Sequence, residues 1–191
     1  MIFKKPTLEE YREAVEWHAR NKENNMLHNK GNEHALIIFE NLFKYSEDHV
    51  RIFAKDLANM EVVNTKPYVD AVKSFIERPN AKLDILITNF NEDVKDIDRD
   101  VHLSYVLRNS KAYEEGRIRV RSTNGMTFRA QDKPVHFCTS DGHAYRMERD
   151  IEQRVAHGNF GDTDTTRSLE AAFDKAFNPC VNNIDLKQVF S

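Results

Sequence analysis

The sequence predicts an α/β fold: a mixed, mainly parallel sheet flanked by helices, with a helical appendage at the N-terminus. Three observations carry this. From His49 onward, short apolar runs alternate with amphipathic stretches of helical period, the pattern of parallel strands joined by crossover helices. Asp141-Gly142 separates two alternating runs and is a dipeptide favoured in two-residue hairpin turns, so antiparallel strands join the sheet. Before His49 the chain shows helical periodicity and no strand. The division that follows is 1–30 for the appendage, 31–178 for the α/β domain and 179–191 for a C-terminal tail.

The first helix begins at a capping box. Thr7 and Glu10 can each satisfy a free N–H of the other's turn, and Leu8, Tyr11, Val15 and His18 then share a face. Residues 24–32 are polar, contain Gly31 and read as a connector. A second helix over 33–45 carries the stripe Ala35, Ile38, Phe39, Leu42 and Phe43, which needs a partner surface. HVRIFA (49–54) is a short buried strand. Thr65 caps the next helix, with Pro67 in its first turn and Tyr68, Val72, Phe75 and Ile76 inward. KLDILIT (82–88) is the second strand. A third crossover helix over 101–114 points Leu103, Val106 and Leu107 to the core. RIRVRS (117–122) is the third strand, and PVHFCT and HAYRME form the hairpin. The last helix, 163–177, carries Leu169, Ala172, Phe173, Ala176 and Phe177. The tail from Asn178 is expected to lie over the surface as a strap.

Composition removes several classes. A formal net charge of -3 argues against wholesale nucleic-acid binding, although a local basic patch can still steer an anion. No apolar run approaches the roughly 20 residues that span a bilayer. The opening MIFKKPTLEEYREA lacks the apolar centre of a secretory signal, and two cysteines make neither a disulfide framework nor a four-cysteine zinc site. These points set the expectation of a cytoplasmic protein with no membrane contact, metal or cofactor.

The candidate chemistry is sparse. Asp96-Ile97-Asp98-Arg99-Asp100 begins like a calcium loop, but the sixth and twelfth positions hold Val101 and Leu107 where Gly and Glu are needed. A solvated loop with Asp100 capping the next helix fits better. His18 and His49 read as structural, and no histidine has metal-motif spacing. Cys138 alternates inside a strand and reads as a small buried residue. Arg117, Arg119 and Arg121 fall two apart on one strand face. Acidic neighbours such as Glu114, Glu115 or Glu148 would offset their repulsion; so would a bound anion such as phosphate. Both readings stay open.

Three segments together carry a resemblance: ALIIFENLFKYSEDHVRIFAKDL, FIERPNAKLDILIT, and KPVHFCTSDGHAYRME followed by AHGNFGDTDTTRSLEAAFDKAF. Their layout, covering about residues 33–177, resembles one half of a phospholipase D-like fold. Active members of that superfamily carry H-x-K-x-x-x-x-D, in which histidine attacks phosphorus or protonates the leaving group, lysine neutralises phosphoryl oxygens and aspartate supports the histidine. On this chain the resemblance puts His136 at the histidine position, Cys138 at the lysine position and His143 at the aspartate position. Gly158-Asn159 falls where the family often has a small residue and an asparagine that contact phosphate. The resemblance thus implies a catalytically degenerate module, with Arg117, Arg119, Arg121, His143 and Asn159 as ligand-binding candidates. Its ligand would be a phosphate-bearing molecule or nucleic-acid backbone, or its partner another protein. The family pairs two motifs per site, which implies a homodimer, and small members suggest an accessory subunit of a bacterial multi-protein system. Two alternatives stand beside this reading: an active dimeric phosphodiesterase or nuclease using His136, and a purely structural scaffold.

Overall fold

The computed structural model describes residues 6–90 and 98–188. Helix α1 (Leu8–Asn21) starts at the predicted capping box. The Thr7 hydroxyl accepts from the Glu10 N–H (3.2 Å), and the Glu10 carboxylate accepts from the Thr7 N–H (2.6 Å). The stretch expected to be a connector contains strand β1 (Leu27–Lys30). Its four residues are too few and too polar to show a period; pairing makes them a strand. Helix α2 (Asn32–Tyr45) and strand β2 (His49–Ala54) follow as expected. Helix α3 (Lys66–Ile76) has Thr65 at its N-cap, but the Thr65 hydroxyl donates to the Val62 carbonyl and caps nothing. Strand β3 is Lys82–Ile87.

The single helix expected over 101–114 is two: α4 (Leu103–Arg108) and α5 (Lys111–Glu114). Ser110 breaks the run because its hydroxyl accepts from the Tyr113 N–H and starts a new turn. Asp100 is not the cap of α4. His102 Nδ1 accepts from the Tyr105 N–H, while Asp98 accepts from Asp100 at the head of a short 3-10 turn, Arg99–Val101. Asp96 and Ile97 lie outside the described residues. Strand β4 (Ile118–Ser122) precedes a small hairpin of β5 (Arg129–Ala130) and β6 (Lys133–Pro134). Then come β7 (His136–Ser140), β8 (Ala144–Asp150), β9 (Val155–Asn159) and helix α6 (Thr163–Phe177).

Among the described residues the main sheet has seven strands in the order β1-β9-β8-β7-β2-β3-β4. It is mixed and flanked by helices, as predicted. β2, β3 and β4 run parallel, with helices in both crossovers. β7 joins β2 antiparallel, and β8, β9 and β1 continue antiparallel. The antiparallel part is larger than expected because β1 and β9 were not legible in their polar, Gly-containing residues.

Alternation along the strands gives the two faces different covers. Ile52, Ile85, Val120 and Cys138 face α2, α3 and α4, in one core with Val15 and Ala19 of α1. Phe53, Leu86 and Phe137 face α6 through Phe173 and Phe177. The tail runs along β4, where Ile184 N–H donates to the Val120 carbonyl and Ser122 N–H to the Asn182 carbonyl (both 2.9 Å). It covers an edge that would otherwise present free backbone groups. Among the described residues no helix is long and apolar enough to cross a membrane.

The loop after α1 is pressed against the turn between β9 and α6. A Cβ on Gly161 would stand 2.7 Å from the Asn24 nitrogen and as close to the Glu23 carbonyl carbon, with the Lys22 oxygen nearer still. All three are backbone atoms and cannot swing aside. Gly161→Ala should therefore destabilise the protein by about 1–3 kcal/mol, the usual cost of overpacking. Urea unfolding would check this; an unchanged midpoint would mean that the N-terminal segment does not dock here.

Candidate functional site

The β7–β8 hairpin determines what faces what. Ser140 pairs with Ala144, so the loop holds three residues, Asp141, Gly142 and His143. The sequence suggested a two-residue turn, which would set His136 opposite Met147. With one residue more, His136 stands opposite Glu148 and Cys138 opposite Arg146. Asp141 and Gly142 both take positive φ, 51° and 70°. The Asp141 carboxylate accepts from the backbone N–H groups of Glu47 (2.6 Å), Asp48 (3.1 Å) and His49 (2.8 Å), tying the loop to the start of β2.

His136, Arg146 and Glu148 thus share the inward face. His136 Nδ1 lies 3.2 Å from Glu148 Oε2, and Arg146 Nη2 is 3.5 Å from Glu148 Oε1. In the neutral ring a proton on Nδ1 is donated to the carboxylate, which leaves Nε2 as a base or nucleophile. Arg146 is buried, with its guanidinium 4.9 Å from the centre of the Phe39 ring. With its amide oriented to satisfy both neighbours, Asn29 accepts from Arg146 Nε (3.2 Å) and donates to the Ala156 carbonyl (3.1 Å). Burial opposes ionisation of Glu148. The hydrogen bond from His136 and the charge of Arg146 outweigh it, so its pKa lies below the usual value. Burial pushes the Cys138 thiol up to about 12, even with Arg146 nearby, so it stays an uncharged thiol.

These groups reach a cavity of about 370 Å³ at the carboxyl end of β2. Ligands of open α/β sheets bind outside the carboxyl ends of parallel strands. Phe39, Ile52, Val62 and Tyr68 supply an apolar wall, and Lys55, Asp56 and Arg154 also line the cavity. Arg154 reaches Glu61 at 3.0 Å. The sequence did not place Arg146 and Glu148 beside His136. The signal available was their spacing of two in HAYRME, which puts both on one strand face; the hairpin register was needed to show which face.

The remaining candidates lie elsewhere. Arg117 donates to the carbonyls of Ile76, Arg78 and Ala81 and pairs with Glu115. Arg119 holds Asp84 through Nε (2.7 Å) and Nη2 (2.6 Å). Arg121 donates to the carbonyls of Phe177 and Asn178 and to Asn183. Arg119 and Arg121 both lie over the Phe177 ring, 4.9 and 4.5 Å from its centre. Of the acidic neighbours considered, Glu115 takes this role; Asp84 was not foreseen. His143 Nδ1 is 3.0 Å from the Phe160 carbonyl. Asn159 faces away from Arg146, because it pairs with Tyr145. Its carbonyl oxygen accepts from Gly161 and Asp162, and its amide donates to Asn24. His136, His143 and Asn159 therefore do not converge.

No protein-family model matches the sequence, and no curated protein does. Solved structures do match in fold. TrmBL2, an archaeal chromatin protein with a novel mode of DNA binding, superposes with a TM-score of 0.55 at 13% identity over 90% of this chain. The chain spans 61% of that protein's length. Nuc from Salmonella typhimurium, a phospholipase D family member, gives 0.52 at 11% identity, covering 84% of this chain and 98% of Nuc. NucT from Helicobacter pylori gives 0.56 at 13%, covering 84% and 99%. The fold is phospholipase D-like.

Asp84 is a buried carboxylate held by Arg119 and by His49 Nε2 (2.8 Å). Burial raises its pKa, but the hydrogen bonds from His49 and Arg119 and their charges lower it further, to a net depression. A carboxylate depressed in the folded state stabilises above its unfolded pKa, about 3.9, and loses that contribution as pH falls through the folded value. Asp84→Asn should therefore be less stable than wild type at neutral pH by about 2 kcal/mol, a buried-pair cost reduced for the half-exposed Arg119. The gap should close in strong acid. Urea midpoints at several pH values test this, and a gap that does not change with pH would contradict it.

Proposed function

We propose that this phospholipase D-like chain is a catalytically degenerate half that binds a phosphate-bearing ligand in the pocket beside His136. One observation carries the reading: a histidine braced by a carboxylate opens onto a walled pocket, while the residue at the family's lysine position, Cys138, is a buried neutral thiol. Lys55 and Arg154 offer donors to phosphate oxygens, as does His136 Nε2 when the ring is protonated on both nitrogens, and the apolar wall receives the rest of the ligand. Among the described residues, the arginine beside the histidine is neutralised, since Glu148 engages Arg146. Electrostatic stabilisation of the transferring group is the main catalytic contribution, and losing one donor costs about 10²–10³ in rate. Binding without efficient turnover follows.

Nucleic-acid backbone is one such ligand; TrmBL2 binds DNA on a related fold. The same reading includes a homodimer that brings two pockets together, a cytoplasmic setting, and an accessory role beside a protein partner. The braced His136 favours a second reading, an active dimeric phosphodiesterase, because the Glu148 carboxylate takes the supporting role of the family's aspartate.

Anisotropy of a labelled single-stranded oligonucleotide tests the first reading. Affinity should fall steeply with salt, and His136→Ala should weaken it by about tenfold, the loss of one charge-assisted contact. No binding, or binding indifferent to salt, would count against it. Hydrolysis of bis(4-nitrophenyl) phosphate should not exceed background. Turnover that His136→Ala removes would establish the second reading instead.

A further inference from the structure

We infer that the apolar end of this pocket is a subsite for a flat, uncharged nitrogen heterocycle whose ring nitrogen accepts a hydrogen bond from Tyr68. This concerns the apolar wall alone and holds with or without a phosphate at His136. Helix α2 brings Ala35 and Phe39, four residues apart and so on one face, and α3 brings Tyr68 from its first turn. Ala35 is the small member of the α2 stripe and leaves space that a larger side chain would fill. Ile52 of β2 and Val62 also line this space. Ala35, Ile52, Val62 and Tyr68 are buried, whereas Lys55 is exposed and belongs to the rim. The cavity of about 370 Å³ is well above the roughly 150 Å³ that holds a benzene ring, so a bicyclic ring fits.

Two features say what fills it. The first is an aromatic corner: the Phe39 and Tyr68 rings stand 5.2 Å apart at 74°. A ring stacked on one of them meets the other edge-on, and aromatic quadrupoles favour both contacts. The second is the Tyr68 hydroxyl. Tyr68 is only 2% exposed, yet among the described residues its hydroxyl has no hydrogen-bond partner. It is not one of the fully enclosed unpaired atoms either, so the little surface that Tyr68 keeps includes the hydroxyl, and Tyr68 lines this cavity. Burial raises its pKa, which leaves a neutral phenol with a proton to donate. A buried tyrosine hydroxyl usually finds a partner. A water among Ala35, Ile52 and Val62 would have few other partners and is readily displaced. A ring nitrogen satisfies the hydroxyl while the rest of the ring lies on apolar walls. A charged ring would lose its hydration there without compensation.

The test uses two uncharged probes of one shape, N-methylbenzimidazole and N-methylindole, of which only the first has an acceptor nitrogen in its ring. NMR titration of wild type at neutral pH should show the first binding about three- to tenfold more tightly, the contribution of one net hydrogen bond. Tyr68→Phe removes a hydroxyl that holds nothing else. It should fold like wild type and bring the two affinities together by weakening N-methylbenzimidazole alone. Ala35→Leu fills the space and should remove binding of both probes. Equal affinities in wild type, a ratio that survives Tyr68→Phe, binding that survives Ala35→Leu, or no binding of either probe would each overturn the inference. Should a variant not fold, the wild-type ratio still decides. Neither probe carries phosphate, so these outcomes leave the phosphate reading to its own oligonucleotide test. A benzimidazole nucleotide that binds more tightly than N-methylbenzimidazole assigns the ring to a nucleotide, and one that binds less tightly assigns it to a free heterocycle; both support the subsite.

Discussion

The site depends on one carboxylate in a turn. Asp141 accepts three successive backbone N–H groups, from Glu47, Asp48 and His49, where α2 hands the chain to β2. Hydrogen bonds to an ionised acceptor are about twice as strong as neutral ones, and three together hold the loop firmly. A strand that slips by one residue turns every side chain to the other face. With the loop fixed at three residues, His136 meets Glu148 and Cys138 meets Arg146. A two-residue turn would put Met147 against His136 and send Glu148 toward α6. The chemistry of the pocket is set by the backbone groups that Asp141 captures, some distance along the hairpin from it.

The two faces of the sheet solve different problems. The face toward α2 and α3 is mostly apolar, with Asn29, Arg146, Glu148 and His136 clustered near the pocket and Ser140 hydrogen-bonded to Ser46 farther along. The face toward α6 carries ion pairs: Arg119 on Asp84, and Arg51 on Asp174 (2.9 Å) and Glu170 (3.2 Å). Arg119 and Arg121 also stack on Phe177. Guanidinium groups suit such positions because their flat faces pack on rings while their edges bind carboxylates and carbonyls. Three arginines two residues apart look like an anion-binding ladder in one dimension. In three, each is anchored by a different part of the fold, and the line of charge is divided among those partners.

Much of the architecture was legible, and the reasons differ by element. The capping box at Thr7 and Glu10, the stripes of α2 and α3, Phe173 and Phe177 of α6, and the apolar runs of β2, β3 and β4 are local signals, and the structure reproduces them, while Ala172 of the expected α6 stripe is exposed. β1 and β9 were not legible because LHNK and VAHGN carry no apolar alternation; β1 exists through its pairing with β9, and β9 through its pairing with β1 and β8. The break at Ser110 was missed because a serine that starts a new turn looks, in sequence, like a serine inside a helix. His136 was singled out by its place in a motif. Its partners were not, because Glu148 and Arg146 become neighbours only through a register that tertiary contacts fix.

That register also bears on how far the phospholipase D-like pattern survives in this chain. Counted from His136, the lysine and aspartate positions hold Cys138 and His143. Counted back from Asp141, the histidine and lysine positions hold Pro134 and His136. Neither frame fills more than one position. What stands on the inward face instead is a histidine, a carboxylate and an arginine, with the carboxylate in the middle. A central carboxylate orients the histidine and draws on the arginine's charge in the same contact. Restoring a lysine at Cys138 would not by itself reverse this. A cation there would point at Arg146, its cross-strand partner, and would need Glu148 for itself. The carboxylate opposite His136 and the thiol opposite Arg146 are thus parts of one arrangement, and neither makes physical sense without the other.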